Sequence, residues 1–130
     1  MKVYNDITHV NEPLLEDCQL YIYVVENYPQ GYIKIGKSTN IQQRLKSLSG
    51  SNGGGNKLVK VAISNPTYLY TLERIAHDYF DKYRIKNTEW FKDITFEEAI
   101  EFIDSQFNSS SYNICNESRK MHYLKHKNKK

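Results

Sequence analysis

The sequence predicts a small α+β domain: a three-stranded antiparallel sheet flanked by helices, with a basic C-terminal tail. Three observations lead there. Apolar residues alternate, or run continuously, in three short segments, and they recur at helical spacing in three others. The stretch between the first two strand-like segments, Tyr28-Pro29-Gln30-Gly31, has turn chemistry, which makes a hairpin the economical connection.

Residues 1–17 show weak periodicity and read as an extended arm. In CQLYIYVVEN (18–27), Leu20, Ile22 and Val24 alternate with Tyr21, Tyr23 and Val25, so a strand here has something to bury on both faces. YIKIG (32–36) is the second strand. A helix follows, with Asn40 as its cap, Ile41, Leu45 and Leu48 along one face, and Gly50 as a left-handed stop. SGSNGGGN (49–56) reads as a mobile loop, and KLVKVAI (57–63) as the third strand. Asn65 and Pro66 suit the cap and first turn of the longest helix, Pro66 to Tyr83, whose stripe is Leu69, Leu72, Ala76, Phe80 and Tyr83. TEWFKD (88–93) is a short extended piece. Thr95 and Glu98 form a capping box, with Ile94 and Ala99 as its staple, for a helix carrying Phe96, Ile100, Ile103 and Phe107 on one side. The pattern breaks after Asn108. The predicted organisation is an arm (1–17), one domain (18–108) and a flexible basic tail (109–130).

The totals allow one domain and one core: 130 residues, 39% hydrophobic and 25% charged. Charge is unevenly spread. From Glu117 onward, six Lys/Arg (Arg119, Lys120, Lys125, Lys127, Lys129, Lys130) face a single acid, while the rest of the chain is close to neutral. Such a tail suits a polyanion, or is a solvated end kept for solubility. Cys18 and Cys115 lie far apart with no metal-ligand spacing, the opening residues lack a secretory pattern, and no stretch approaches membrane-spanning length. A cytoplasmic protein with reduced thiols and no membrane contact is expected.

Four groups of residues raise chemical questions. Lys34, Lys37 and Arg44 surround Gly36 and the start of the first helix, where a helix N-terminus also favours an anion; they converge on a phosphate or are scattered surface cations. Glu73 falls about 40° from Leu69 around its helix, at the edge of the buried stripe. It is either an ion pair with His77 or a lysine, or a ligand for a hard cation of the Mg²⁺ type. Tyr21 and Tyr23 share one strand face, as a packing pair or as phenols whose pKa falls beside cations, leaving a proton acceptor for water. His77 is a helix-face histidine or a proton-transfer group.

YIYVVEN followed by KIGKSTNIQQRL resembles the GIY-YIG nuclease superfamily. The likeness is closest to the small domains of bacteriophages, large DNA viruses and bacteria in which the second motif begins with lysine. It covers Leu20 to Phe107 and takes in Leu72-Glu73 and Glu89-Trp90-Phe91. Tyr21 stands where the first motif usually has glycine, and Lys34 where the second usually has tyrosine. The resemblance implies that Tyr23 is the general base acting on water, that Gly36 allows a tight backbone turn, that Arg44 steadies charge on the scissile phosphate, and that Glu73 holds a single Mg²⁺ or Mn²⁺. Lys34 would serve by charge and lower the pKa of Tyr23, with Tyr21 and His77 beside it. Gly36, Lys37, Asn40 and Lys46 are the expected nucleic-acid contacts. Glu89 and Trp90 read as structural, closing the sheet edge.

The implied function is a metal-dependent endonuclease on DNA, with RNA as an alternative polymer. Cutting both strands with one metal site would require a homodimer or two visits. Two other classes compete: a nucleic-acid-binding module with little or no cleavage, and a phage-type inhibitor whose partner is a host protein contacted through the glycine loop and tyrosines.

Overall fold

The computed structural model describes residues 1–5, 10, 19–50 and 57–127. Most of the predicted arm and the glycine run 51–56 lie outside the described residues. The elements are β1 (Lys2–Tyr4), β2 (Tyr21–Tyr28), β3 (Ile33–Ser38), α1 (Ile41–Gly50), β4 (Lys57–Ile63), α2 (Leu72–Tyr79), β5 (Trp90–Phe91), α3 (Phe96–Phe107) and α4 (Ser110–Lys127).

The α+β class is as predicted, but among the described residues the sheet has five strands and not three, in the order β1-β4-β2-β3-β5, with every neighbouring pair antiparallel. The three predicted strands are its centre. The two additions are edge strands of three and two residues, too short to show a period. β1 pairs with β4 through Lys2↔Ile63 and Tyr4↔Val61, a contact between distant parts of the chain that local patterning cannot announce.

β2 is the central strand and is buried on both faces, which accounts for its nearly unbroken apolar run. Tyr21, Tyr23 and Val25 face α1, packing with Ile41, Leu45, Val61 and Ile63. Ile22 and Val24 face the other way, onto Leu72 and Ala76 of α2 and Phe96, Ala99 and Ile103 of α3. Each fully buried aliphatic side chain in these clusters contributes about 1.5–3 kcal/mol. At the hairpin, Gly31 adopts a left-handed φ of 72°, and its N–H donates to the Asn27 carbonyl at 3.0 Å.

The longest predicted helix is much shorter than its pattern suggested. Residues 66–71 are not helical: the Thr67 N–H donates to the Leu20 carbonyl at 2.9 Å in an isolated bridge, so the backbone that Asn65 and Pro66 were expected to start as a helix is held to the sheet instead. α2 begins at Leu72 and is followed by a 3-10 turn, Asp81–Tyr83. The capping box at Thr95 and Glu98 is present, with both reciprocal hydrogen bonds.

The chain after Asn108, expected to be a flexible tail, is helical through Lys127. Its first turns have a tertiary anchor. Asn116 Oδ1 accepts from Thr67 Oγ1 at 3.0 Å and from the Tyr68 N–H at 2.6 Å, while Tyr112 Oη donates to Thr67 Oγ1 at 2.5 Å. Further along, Tyr123 lies on Tyr68 with ring centroids 5.1 Å apart. The weak helix formers in NSSSY hide this element because long-range hydrogen bonds, not propensity, fix it.

Asn116→Ala removes an acceptor that serves two donors, one of them a backbone N–H. The expected loss is about 1–3 kcal/mol of unfolding free energy, read from urea denaturation. An unchanged midpoint would mean that α4 docks by other contacts.

Candidate active site

The β2–β3 register sets Tyr23 opposite Gly36 and Val25 opposite Lys34, on the face that α1 covers. The phenol of Tyr23 lies directly against Gly36. A Cβ at that position would run into the Tyr23 Oη and Cζ atoms. Gly36 is therefore required by a close approach inside an extended strand, and not by the tight turn expected of it.

α1 begins just after β3. Asn40 caps it as predicted: its Oδ1 accepts from the Gln43 N–H at 3.2 Å. One turn on, Arg44 reaches back over the sheet, and its Nε donates to Tyr23 Oη at 3.3 Å. The Tyr23 ring is fully buried while Arg44 is exposed, so the pair links core to solvent.

Burial pushes the Tyr23 phenol above its ordinary value. The Arg44 hydrogen bond and charge pull the other way, and the carboxylates of Glu73 and Glu89 add to the rise. Burial wins, so the expectation that neighbouring cations lower this pKa is reversed. Arg44 in turn is held more firmly protonated, chiefly by its hydrogen bond to Tyr23.

Glu73 sits in the first turn of α2, half-buried, where a carboxylate also complements the helix dipole. Its charge acts on both Tyr23 and Arg44. Among the described residues it makes no hydrogen bond or ion pair. His77, one of its expected partners, is engaged elsewhere: its Nε2–H donates to the Ile35 carbonyl at 2.6 Å, and its ring meets Phe91 edge-on at 5.4 Å. Along β3, β5 pairs only with Ile33 and Lys34, so His77 satisfies the Ile35 carbonyl beyond that pairing and fixes α2 against the sheet.

Lys34 is not a free cation. Its side chain is only 6% exposed, and its Nζ lies 2.7 Å from Glu89 Oε2 and 5.9 Å from the Trp90 ring centroid. Glu89, read from sequence as a structural residue, thus neutralises Lys34 and sends its field into the site. The signal was hidden because Glu89 reaches Lys34 only through the β3–β5 register. Lys37 donates to the Tyr70 carbonyl at 3.1 Å, which ties β3 to the segment leading into α2. Tyr21 is buried one pair further along, opposite Ser38. Lys46 is exposed on α1, about 200° around the helix from Arg44, and does not join the others.

Tyr23, Gly36, Arg44 and Lys34 therefore come together on one sheet face, with the charge of Glu73 acting on two of them. Among the described residues no three His, Cys, Asp or Glu side chains gather to hold a metal. The unpartnered Glu73 carboxylate still fits an ion that takes one carboxylate and keeps several waters, as Mg²⁺ commonly does.

Comparison with protein families matches residues 20–107, more than half of the chain, to the T5orf172 domain. Comparisons with curated proteins and with solved structures gave no match.

Gly36→Ala should destabilise the fold by about 1–3 kcal/mol, as overpacking does. Truncating the clashing ring should relieve part of that cost, so Gly36→Ala and Tyr23→Ala combine to less than the sum of their separate effects in denaturation. Equal additivity would mean that the ring and the glycine do not meet. Separately, the Lys34 ammonium holds the Glu89 carboxyl below its ordinary value near 4.5. A lowered carboxyl contributes stability above its unfolded pKa and loses it as pH falls through the folded one. Glu89→Gln should therefore flatten the acid side of the stability–pH curve below about pH 4.5. An unaltered acid limb counts against the ion pair.

Proposed function

The chain belongs to the T5orf172 domain family, a phage-associated domain of a nuclease-related class, and from that premise we propose that it is a metal-dependent endonuclease hydrolysing phosphodiester bonds in DNA. The observation that carries the reading is the hydrogen bond from Arg44 Nε to Tyr23 Oη, 3.3 Å, within the field of an unpartnered Glu73.

In this reading Arg44 binds a non-bridging oxygen of the scissile phosphate while keeping the Tyr23 oxygen oriented. Tyr23, as phenolate, takes a proton from a water molecule. The resulting hydroxide forms a P–O bond in line as the opposite ester P–O bond breaks, and the departing alkoxide takes a proton from solvent. A Mg²⁺ or Mn²⁺ ion held by Glu73 would supply charge neutralisation at the departing oxygen. Lys34 acts at a distance, because Glu89 already holds its charge. α4 adds Arg119, Lys120 and Lys125 as sequence-independent phosphate contacts, so binding weakens as salt rises.

A second reading is a nucleic-acid-binding module on the same scaffold with little cleavage. The buried, predominantly neutral phenol of Tyr23 favours it.

The parent with Mg²⁺ or Mn²⁺ should nick or linearise plasmid DNA. Tyr23→Phe, Arg44→Ala and Glu73→Ala should each slow it by about 100-fold or more while melting as the parent does. If all three cut like the parent, the residue roles are wrong; if the parent never cuts, the binding module replaces the enzyme.

The base is a phenol held above its ordinary value, so its active form grows with pH. The cleavage rate should rise about tenfold per unit between roughly pH 7 and 9. A flat profile in single-turnover assays would remove Tyr23 as the base.

A further inference from the structure

Beside the candidate site lies a cleft of about 700 Å³, lined by Lys34, Arg84, Asn87, Thr88, Glu89 and Trp90. Lys34 and Glu89 line it, and the Glu89 charge acts on Tyr23 and Arg44, so the cleft adjoins the site.

The charges in this cleft are already matched. Lys34 is held by Glu89 at 2.7 Å, and Arg84 Nε lies 3.4 Å from Asp81 Oδ1. A phosphate would meet two neutralised cations and an exposed carboxylate, which makes the cleft a poor anion receptor. It is better suited to a flat, uncharged group. Trp90 supplies a half-buried aromatic wall. Unused hydrogen-bonding groups surround that wall. Arg84 is spent on Asp81 and on the His77 carbonyl, but among the described residues Glu89 Oε1 and the Asn87 side chain make no hydrogen bond. Aromatic surface flanked by free donors and a free acceptor is the chemistry that recognises a nucleobase. A base inside a duplex has both faces stacked and its pairing edge occupied, so it could not use these groups.

We propose that this cleft receives one unpaired nucleobase of the nucleic acid whose backbone lies at Tyr23 and Arg44, so that the preferred substrate carries a single-stranded nucleotide next to the bond acted on. The proposal rests on the nucleic-acid reading above for the backbone and adds the structural class of the substrate.

Trp90 is the only tryptophan in the chain, so intrinsic fluorescence reports on the cleft directly. The full chain, in EDTA to prevent cleavage, is titrated with a short single-stranded oligonucleotide, a blunt duplex of the same sequence, and that duplex bearing a single-stranded tail. Single strand and tailed duplex should quench Trp90 saturably and bind at least about tenfold tighter than the blunt duplex, the scale of one stacked base. Followed by anisotropy of labelled single strand, Trp90→Leu should lose about tenfold in affinity and Asn87→Gly, which keeps the left-handed backbone there, should lose several-fold, while Trp90→Phe, which keeps a stacking ring, should retain most of it.

The quench is read in EDTA and needs no cleavage, so it persists even if the parent proves unable to cut. Equal affinity for blunt duplex and single strand, or parental binding by both Trp90→Leu and Asn87→Gly, overturns the proposal. A parent that cuts blunt duplex with no Trp90 response overturns it too, and leaves the endonuclease reading standing. Failure to bind any of the three probes overturns both.

Discussion

The contact between the Tyr23 phenol and Gly36 constrains everything around it. The two residues face each other across the central strand pair, and the ring occupies the volume where any other residue's Cβ would sit. A one-residue slip of β3 would bring Ile35 or Lys37 under the ring and turn Lys34 into the α2–α3 core. The aromatic–glycine pair and the alternate facing of β3 thus hold one register. Through that register the phenolic oxygen is presented beneath α1, where Arg44 meets it.

Charge in the site is arranged unevenly, and burial decides the result. The Tyr23 ring is enclosed, so the neutral phenol is favoured even with a guanidinium hydrogen-bonded to its oxygen. Of the two nearby basic side chains, Lys34 is tied to Glu89 while Arg44 keeps its outer face in solvent. Of the two carboxylates, Glu89 is paired, and Glu73 has no partner among the described residues. In the proposed function Arg44 and Glu73 are the groups that meet an incoming phosphate and a cation, and the charges of both act on the same phenol.

Several contacts that look like site chemistry in the sequence instead hold the frame. His77 satisfies the Ile35 carbonyl beyond the end of β5, Lys37 fastens the end of β3 to Tyr70, and Asn40 caps α1. Thr67 and Asn116 join the start of β2 to α4 through one hydroxyl and one amide. These side chains satisfy backbone groups that the short strands and interrupted helices would otherwise leave open. That is why polar residues with reactive groups end up as fasteners around the phenol.

Sequence alone determined the central strands, the two-sided burial of β2, the α1 cap, the Thr95–Glu98 capping box, and the α+β class. Each of these is a local pattern of hydrophobicity or capping that needs no distant partner. It also picked out Tyr23, Gly36 and Arg44, which the fold brings together. Tertiary structure alone decided the rest. The edge strands β1 and β5, the bridge that displaces the helix start from Pro66 to Leu72, and the docking of α4 all depend on hydrogen bonds between distant residues. The pairing of Lys34 with Glu89 and the upward shift of the Tyr23 phenol depend on register and enclosure, and neither quantity exists until the chain has folded.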